Sequence, residues 1–403
     1  MAKVLYIVYD GLMEPLGMSQ SWQYLKVLSG NHDITIISFE KKDNLLNKYK
    51  LNALKKEVEE CGVSWYSLKY HKTPSILATL YDVVRGILVT LFFVKKSKID
   101  FIHSRSYIPT LIALIANKLL NTRFIFDMRG FWADEQVDGG VWAKNSFTYK
   151  IIKRFERSFF LDASYIISLT NIGCSDVLSL DYMKDIKKKI TVIPTCANLQ
   201  LFHPEHTTTS DYDEIDHKFI LGYVGSVGTF YLFDEVLKSF NALLKVKNNS
   251  KLLIINKGQH DYIFDKILEA GISSDHIEIK SVEYDEVSAE MNKMDAGIFY
   301  IKPAFSKRSS SPTKFAEFLG CGKPCISNFG VGDTESILEG EGVGIVLKGF
   351  SNNEHISAIN KLLKLVKDKN IQKRCTHTAK KYFSLDSGVK KYDSVYRDLT
   401  NDV

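Results

Sequence analysis

Short apolar runs alternating with helix-period segments restrict the fold of this chain more than any other feature. In the first half the runs are Val4 to Tyr9, Ile34 to Ser38, Val63 to Tyr66, Phe101 to His103, Phe124 to Asp127, Tyr165 to Ser168 and Ile190 to Ile193. Most are unbroken by polar residues, as expected of parallel strands covered on both faces. Between them lie segments of helical period, such as Ser75 to Lys95, Ile108 to Leu120 and Ser146 to Leu161. The pattern stops over His206 to Lys218, a polar and acidic stretch that reads as a linker. It resumes with Phe219 to Gly225, Leu252 to Ile255, Ile277 to Ile279, Asp295 to Tyr300, Pro324 to Asn328 and Gly344 to Val346. The alternation predicts an α/β chain of two Rossmann-like halves, with the active site where the carboxyl ends of both sheets face a cleft. A last helical segment, Ser387 to Leu399, carries Val389, Tyr392, Val395, Tyr396 and Leu399 at helical spacing.

Composition agrees with two globular domains: 403 residues exceed one ordinary core, and 45% are apolar against 25% charged. The net charge of +6 is diffuse. It fits an anionic small molecule or an anionic membrane surface and is too diffuse to argue for nucleic acid, so no nucleic-acid partner is expected. The basic clusters Lys48 to Lys56 and Lys184 to Lys189 read as solvated helix faces. The six cysteines are scattered, and Cys321 and Cys325 lack the partners a zinc site needs; they read as reduced core residues in a cytosolic protein. The opening Val4 to Tyr9 run is interrupted too soon by Asp10 for a signal peptide. The longest uninterrupted apolar stretch, Gly86 to Val94, falls well short of the ~20 residues that cross a bilayer, so no span is expected. The segment Ser75 to Lys95 reads first as a core-packing helix, and second as one whose apolar face and basic end touch a membrane surface.

Chemistry concentrates in the loops after the strands. The segment Ser309 to Gly322 follows the run ending at Tyr300 and opens a helix. Free amides and the positive end of the helix dipole favour phosphate there. Pro312 suits the first helical position, Lys314 adds a point charge, and Glu317 is placed to accept hydrogen bonds from ribose hydroxyls. Lys302, Lys307 and Arg308 bring further cations to the mouth of this turn. Gly225-Ser226-Val227-Gly228-Thr229 leaves another strand and can form a backbone nest for phosphate oxygens. Lys257-Gly258 sits at a further strand end, where it could flank a base.

In the first half, Asp10 to Gln20 forms a glycine-containing loop between the first strand and a helix expected to begin near Trp22. Its spacing is not Gly-x-Gly-x-x-Gly, so a dinucleotide fingerprint is missing. His103-Ser104-Arg105 and Asp127-Met128-Arg129-Gly130 set polar groups at two strand ends. Each of these residues has a plain structural alternative: a satisfied core imidazole for His103, an ion pair for Asp127 and Arg129. Asp134 to Gly140 reads as a flexible acidic loop able to grip a polar acceptor.

Taken together, Tyr9 to Gly17, Asp127 to Gly130, Ile193-Pro194-Thr195, Gly222 to Ser226 and Ser311-Pro312-Thr313-Lys314…Glu317…Gly322-Lys323-Pro324 resemble the retaining, family-4-type glycosyltransferases of the GT-B fold. The resemblance runs over nearly the whole chain. It implies an acceptor-binding domain over 1–205, a nucleotide-sugar-binding domain over 206–384, and a final helix, 385–403, packing back on the first domain. It implies a nucleotide sugar as donor and a glycan or lipid-linked glycan as acceptor. No metal or other cofactor is implied, and the setting is cytoplasmic, at the inner face of the membrane.

On this resemblance the donor site takes Gly225, Ser226, Lys302, Arg308, Ser309, Ser311, Pro312, Thr313, Lys314 and Glu317. Gly11, Glu14 and Gly17 close over diphosphate and acceptor, and Asp127, Arg129 and His103 line the reacting centre. The chain departs from the family at two points. Ser309 stands where a first glutamate is usual, and the loop Ser226 to Thr229 lacks the usual arginine and lysine. Both departures favour an alternative, a non-catalytic nucleotide-sugar-binding partner subunit. A sugar-nucleotide epimerase or hydrolase on the same fold is a second alternative. A Rossmann oxidoreductase, lacking its fingerprint in either half, is the most remote.

Overall fold

The computed structural model describes residues 1–205 and 218–401. The stretch read as a linker lies, over 206–217, outside the described residues. The chain divides into two compact units, 1–194 with 385–403, and 195–384.

The first unit is a seven-stranded parallel sheet made of β1 (Lys3–Val8), β2 (Asp33–Glu40), β3 (Ser64–Lys69), β4 (Phe101–Arg105), β5 (Arg123–Asp127), β6 (Tyr165–Ser168) and β7 (Ile190–Val192). Its spatial order is β3-β2-β1-β4-β5-β6-β7. The central strands are buried on both faces, which is why they read as continuous apolar runs, whereas edge strand β3 has only Leu68 fully buried. Phe126 packs edge-on against Phe159 with ring centroids 5.5 Å apart, and Tyr107 and Phe160 join the same core. Each such ring removes enough apolar surface from water to contribute about 1.5–3 kcal/mol. Strand order reverses between β1 and β4, and the crevice outside such a switch point is where doubly wound sheets bind ligands. Parallel register aligns Val8 with Arg105 and Arg105 with Asp127, so three strand ends lie side by side at that point.

The second unit is a six-stranded parallel sheet of β8 (Phe219–Val224), β9 (Ser250–Ile255), β10 (Ile277–Lys280), β11 (Ala296–Ile298), β12 (Cys325–Asn328) and β13 (Gly344–Leu347). Its order is β10-β9-β8-β11-β12-β13, which puts the switch between β8 and β11. Residues 195–205, read above with the first half, pack here: the Ala197 N–H donates to the Phe383 carbonyl at 2.9 Å, and Phe202 is fully buried in the core of this unit. The last helix, Leu385–Asn401, belongs to the first unit and buries Val389, Tyr392, Val395, Tyr396 and Leu399.

Three local expectations change. The first helical turn begins at Pro15, not near Trp22, and runs through a π-helical stretch, Met18–Trp22, into Gln23–Leu28. Pro15 favours that early start because its fixed φ suits the first helical position. Trp132–Asp138 is a helix rather than a loose loop, held by Asp134, which accepts from Tyr149 and Lys153 at 2.8 Å each. The helix Ser75–Ser97 does not bury its apolar surface all round: Ile76, Leu80, Leu88 and Phe92 are exposed. The six cysteines form no disulfide among the described residues, and Cys196, Cys321, Cys325 and Cys375 are buried.

Candidate functional site

In the second unit the site grows from the two loops at the switch point. After β8 the backbone turns at Gly225, whose φ of +107° suits glycine. Asn256 donates to the Gly225 carbonyl at 3.0 Å, and the Gln259 amide bridges both backbone groups of Val227 at 3.0 and 3.1 Å. The nest expected from Gly225 to Thr229 is therefore held from behind by two amide side chains.

After β11 a short 3-10 turn, Phe305–Ser309, leads to the helix Thr313–Gly320. Pro312 is its N-cap rather than its first helical residue, and a proline offers no side-chain acceptor to the first amides. Lys314, on the first turn, is 8% exposed, and among the described residues its Nζ has no hydrogen-bond partner. The ammonium sits 4.3 Å from the centroid of the Tyr231 ring and 5.1 Å from that of Tyr223. Burial pushes it down to about 7, against the attraction of Glu317. Burial likewise pushes the Glu317 carboxyl up to about 7, against the pull of Lys314. A buried, unbonded cation beside uncapped helix amides is an unfinished electrostatic arrangement that an anion completes.

The other residues read for the donor site divide. Gly225 meets Lys314 directly: a Cβ there would lie 2.8 Å from Nζ. Ser226 is exposed on the nest, its carbonyl accepting from the Tyr223 hydroxyl at 2.6 Å. Ser309 is fully buried and its hydroxyl donates to the Ser306 carbonyl at 3.1 Å, so it is occupied within its own turn. The Ser311 hydroxyl oxygen accepts from the Thr195 N–H at 3.2 Å. Lys302 and Arg308 are exposed, whereas Lys307 is buried with its ammonium 3.7 Å above the Phe230 ring. Lys257 pairs with Glu283 at 3.0 Å, both exposed.

In the first unit the strand ends gather a charge cluster. Asp127 is fully buried and accepts from the Tyr392 hydroxyl at 2.9 Å. Around it stand His103 Nε2 at 3.5 Å, Arg105 Nη1 at 3.7 Å and Arg129 Nη1 at 3.7 Å. Burial opposes its charge, yet Arg129, His103 and Arg105 hold the carboxyl well below the usual range. Burial pushes His103 below its ordinary value although Asp127 favours the charged form, and its Nδ1 lies 2.7 Å from the Tyr396 hydroxyl. Arg129, its side chain 17% exposed, is the most accessible of the three residues read for the reacting centre. It holds a left-handed φ of +54°, a strained setting often found at working sites.

The loop after β1 is closed by glycine contacts. A Cβ on Gly17 would lie 1.9 Å from the Gly11 carbonyl oxygen. Buried Glu40, at the end of β2, accepts from the Leu12 and Met13 N–H groups at 2.6 and 3.2 Å. Glu14 accepts from Lys41 and Asn44 at 2.7 Å each. Beneath the loop lies a cavity of about 560 Å³ lined by Tyr9, Asp10, Glu14, Phe39, Lys41 and Tyr70, among others. Apolar rings with a few carboxylates and a lysine suit a hydroxyl-rich ligand.

Sequence reasoning does not single out Tyr223, Tyr231, Glu40, Tyr392 or Tyr396 as site residues, and it reads Arg105 only as a polar group at a strand end. Arg105 and Glu40 carried a usable signal, a charge at the carboxyl end of an apolar strand. The tyrosines read as ordinary core residues. Among the described residues, no group of three His, Cys, Asp or Glu side chains is placed to hold a metal.

Residues 208–382 match the family model for glycosyl transferases group 1, a match that lies within the second unit. The second unit thus matches a glycosyltransferase family model over most of its length. No curated protein matches the sequence significantly. Among solved structures, sucrose-phosphate synthase from Thermosynechococcus elongatus superposes with TM-score 0.74 at 12% identity, covering 100% of both chains. A glycosyltransferase from Rickettsia africae gives 0.70 at 17% identity, over 100% of this chain and 99% of that one. HepE from Anabaena, solved with UDP-glucose, gives 0.70 at 13% identity over 100% of both. At these identities the likeness is one of fold, and the fold is GT-B.

Proposed function

We propose that the chain moves a sugar from a nucleotide-diphosphate sugar to a hydroxyl of a glycan or lipid-linked glycan, with retention and without need of a metal. The observation that carries this reading is the buried, unbonded Lys314 ammonium at the uncapped end of the Thr313–Gly320 helix. Glycosyl transfer leaves negative charge on the departing diphosphate. Lys314 and the N–H groups of Ser311 and Thr313 stabilise that charge from fixed positions, the arrangement that lowers a barrier most. Glu317, one turn from Lys314, binds the ribose hydroxyls. The UDP-glucose held by HepE, a chain of the same fold, supports a uridine nucleotide as the first ligand to try.

Arg129 meets the substrates in the first unit, while Asp127 and His103 are positioning residues that act through it. Asp127 is a poor covalent nucleophile, since two guanidinium groups and a tyrosine hydroxyl already engage it. A donor phosphate oxygen therefore takes the acceptor proton as the sugar carbon is attacked on the face the leaving group departs from. The cavity under the Gly11 to Gly17 loop takes part of the acceptor. Peripheral attachment to the cytoplasmic membrane belongs to the same reading.

Thermal unfolding with UDP, GDP, CDP, dTDP and NAD, on wild type and Glu317→Ala, tests the donor site. A ligand at about 100 times its dissociation constant adds about 2.7 kcal/mol of stability. Stabilisation by one nucleoside diphosphate that is lost in the variant is the expected result. No response to any diphosphate overturns the donor-site reading, and diphosphate binding without transfer to any acceptor moves it to a non-catalytic partner subunit. Turnover of nucleotide sugar without an acceptor moves it to a hydrolase or epimerase, and an inverted product or a trapped glycosyl–enzyme adduct removes the retaining route.

A further inference from the structure

The helix Ser75–Ser97 is built the wrong way round for a surface helix of a globular protein. Its inner side packs on the helix Tyr107–Leu120 through Val83 and Gly86, where a Cβ would lie 2.6 Å from Ile112. That inner side also carries polar groups: Thr90 is fully buried, and so is Asp82, which accepts from the His71 N–H at 2.8 Å. Its outer side carries the apolar ones. Ile76, Leu80, Val84, Leu88 and Phe92 recur every fourth residue and are 46–80% exposed, with exposed Leu77 and Tyr81 beside them. Residues four apart stack on one helix face, so these five form a continuous ridge roughly 24 Å long. A solvated face would be polar at these positions.

Charge says what covers the ridge. Lys96 lies 5.2 Å above the Phe92 ring and Arg85 lies 5.5 Å from that of Tyr81, so cations sit among the apolar groups. Lys95 and Lys98 are exposed at the same end and Lys72 at the other. Asp82 is the one acid on the helix, and it is buried. Apolar rows flanked by lysine and arginine, with no exposed acid, match the acyl–headgroup boundary of an anionic bilayer. Residues 76–97 are long and apolar enough to cross a bilayer. The hydrogen bonds of Asp82 and the packing on Tyr107–Leu120 tie the helix into the first unit instead, so it lies along the surface.

We infer that the ridge Ile76–Leu80–Val84–Leu88–Phe92 docks the protein on an anionic lipid surface. The inference stands on this helix and not on the donor-site chemistry. It does bear on the acceptor: the Tyr9 hydroxyl, whose ring lines the cavity of the first unit, donates to Asp82 on the inner side of the same helix.

Co-sedimentation of the full chain with vesicles of phosphatidylcholine alone, and with added phosphatidylglycerol, tests the inference. The protein should pellet with the anionic vesicles and be released by salt. Leu80→Gln with Leu88→Gln should weaken that binding by about tenfold or more. Lys95→Gln with Lys96→Gln should remove the preference for phosphatidylglycerol. Both pairs are exposed, so unfolding temperature and nucleotide stabilisation should match wild type, which separates this result from the fate of the donor site. Wild-type protein that stays in solution with both vesicles overturns the inference. So does equal pelleting of the leucine variant, or a dimer that the leucine substitutions dissociate without any vesicle binding.

Discussion

Lys314 and Gly225 stand so close that a single methyl group on the glycine would lie 2.8 Å from the ammonium. Gly225 also holds a φ of +107°, strained for any other residue. Gly225→Ala is expected to cost on the order of 1–3 kcal/mol in stability from the backbone alone. It should also displace Lys314 and weaken nucleoside-diphosphate binding by about tenfold, or roughly 1.4 kcal/mol. In a Lys314→Met background the added loss of binding should shrink, because the colliding partner is gone. Titration calorimetry on the four proteins of that cycle reads the coupling, and equal losses in both backgrounds would contradict it.

The same ammonium predicts a pH signature. Unfolded Lys314 keeps its proton up to its ordinary value of 10.5, while in the folded chain burial brings it down to about 7. Between those values the unfolded chain binds more protons, so this residue makes stability rise with pH. Glu317 acts on the other side: folded, it keeps its proton from 4.5 up to about 7, a contribution present below 4.5 and lost as pH rises to about 7. The pair thus places a stability minimum near neutral pH in the ligand-free protein. Urea unfolding over a pH series should show the rising alkaline limb in wild type and lose it in Lys314→Met. Diphosphate binding above neutral pH should take up a proton, measured by calorimetry in buffers of different ionisation enthalpy; a proton count of zero would refute the assignment.

Asp127 predicts a contrast between two substitutions. Tyr392→Phe removes one hydrogen bond to a carboxylate and should cost about 1.5–3 kcal/mol. Asp127→Asn removes a fully buried carboxylate that faces Arg105 and Arg129, weakening the compensation of buried positive charge at a cost of about 3–5 kcal/mol. Urea unfolding of the two variants gives the order. A milder effect for Asp127→Asn would mean that the guanidinium groups reach solvent.

The strands were legible because each is an apolar run between turn residues; all thirteen in the described residues fall where such runs stand. Lys314 and Glu317 were legible for a related reason, being a cation and an acid at the start of a helix that follows a strand. The charge cluster was only half legible. Register brings Arg105 beside Asp127, but Tyr392 and Tyr396 arrive from the far end of the chain, and no local pattern marks them as partners. The hydroxyl partners of Ser309 and Ser311 were not legible, because a hydroxyl in a turn is first captured by neighbouring backbone. Ser75–Ser97 was ambiguous in another way: a helix apolar nearly all round has no periodicity to say which side is buried.

The last helix joins the first sheet, with Tyr392 on Asp127 and Tyr396 on His103. During synthesis, therefore, the seven-stranded sheet leaves the ribosome with its central carboxylate and imidazole lacking their tyrosines. It waits while the whole of the second unit is made. The seventeen-residue helix Leu385–Asn401 is translated after the second unit and completes the first, so a ribosome that stalls just before it releases a chain whose second unit is whole and whose first is not.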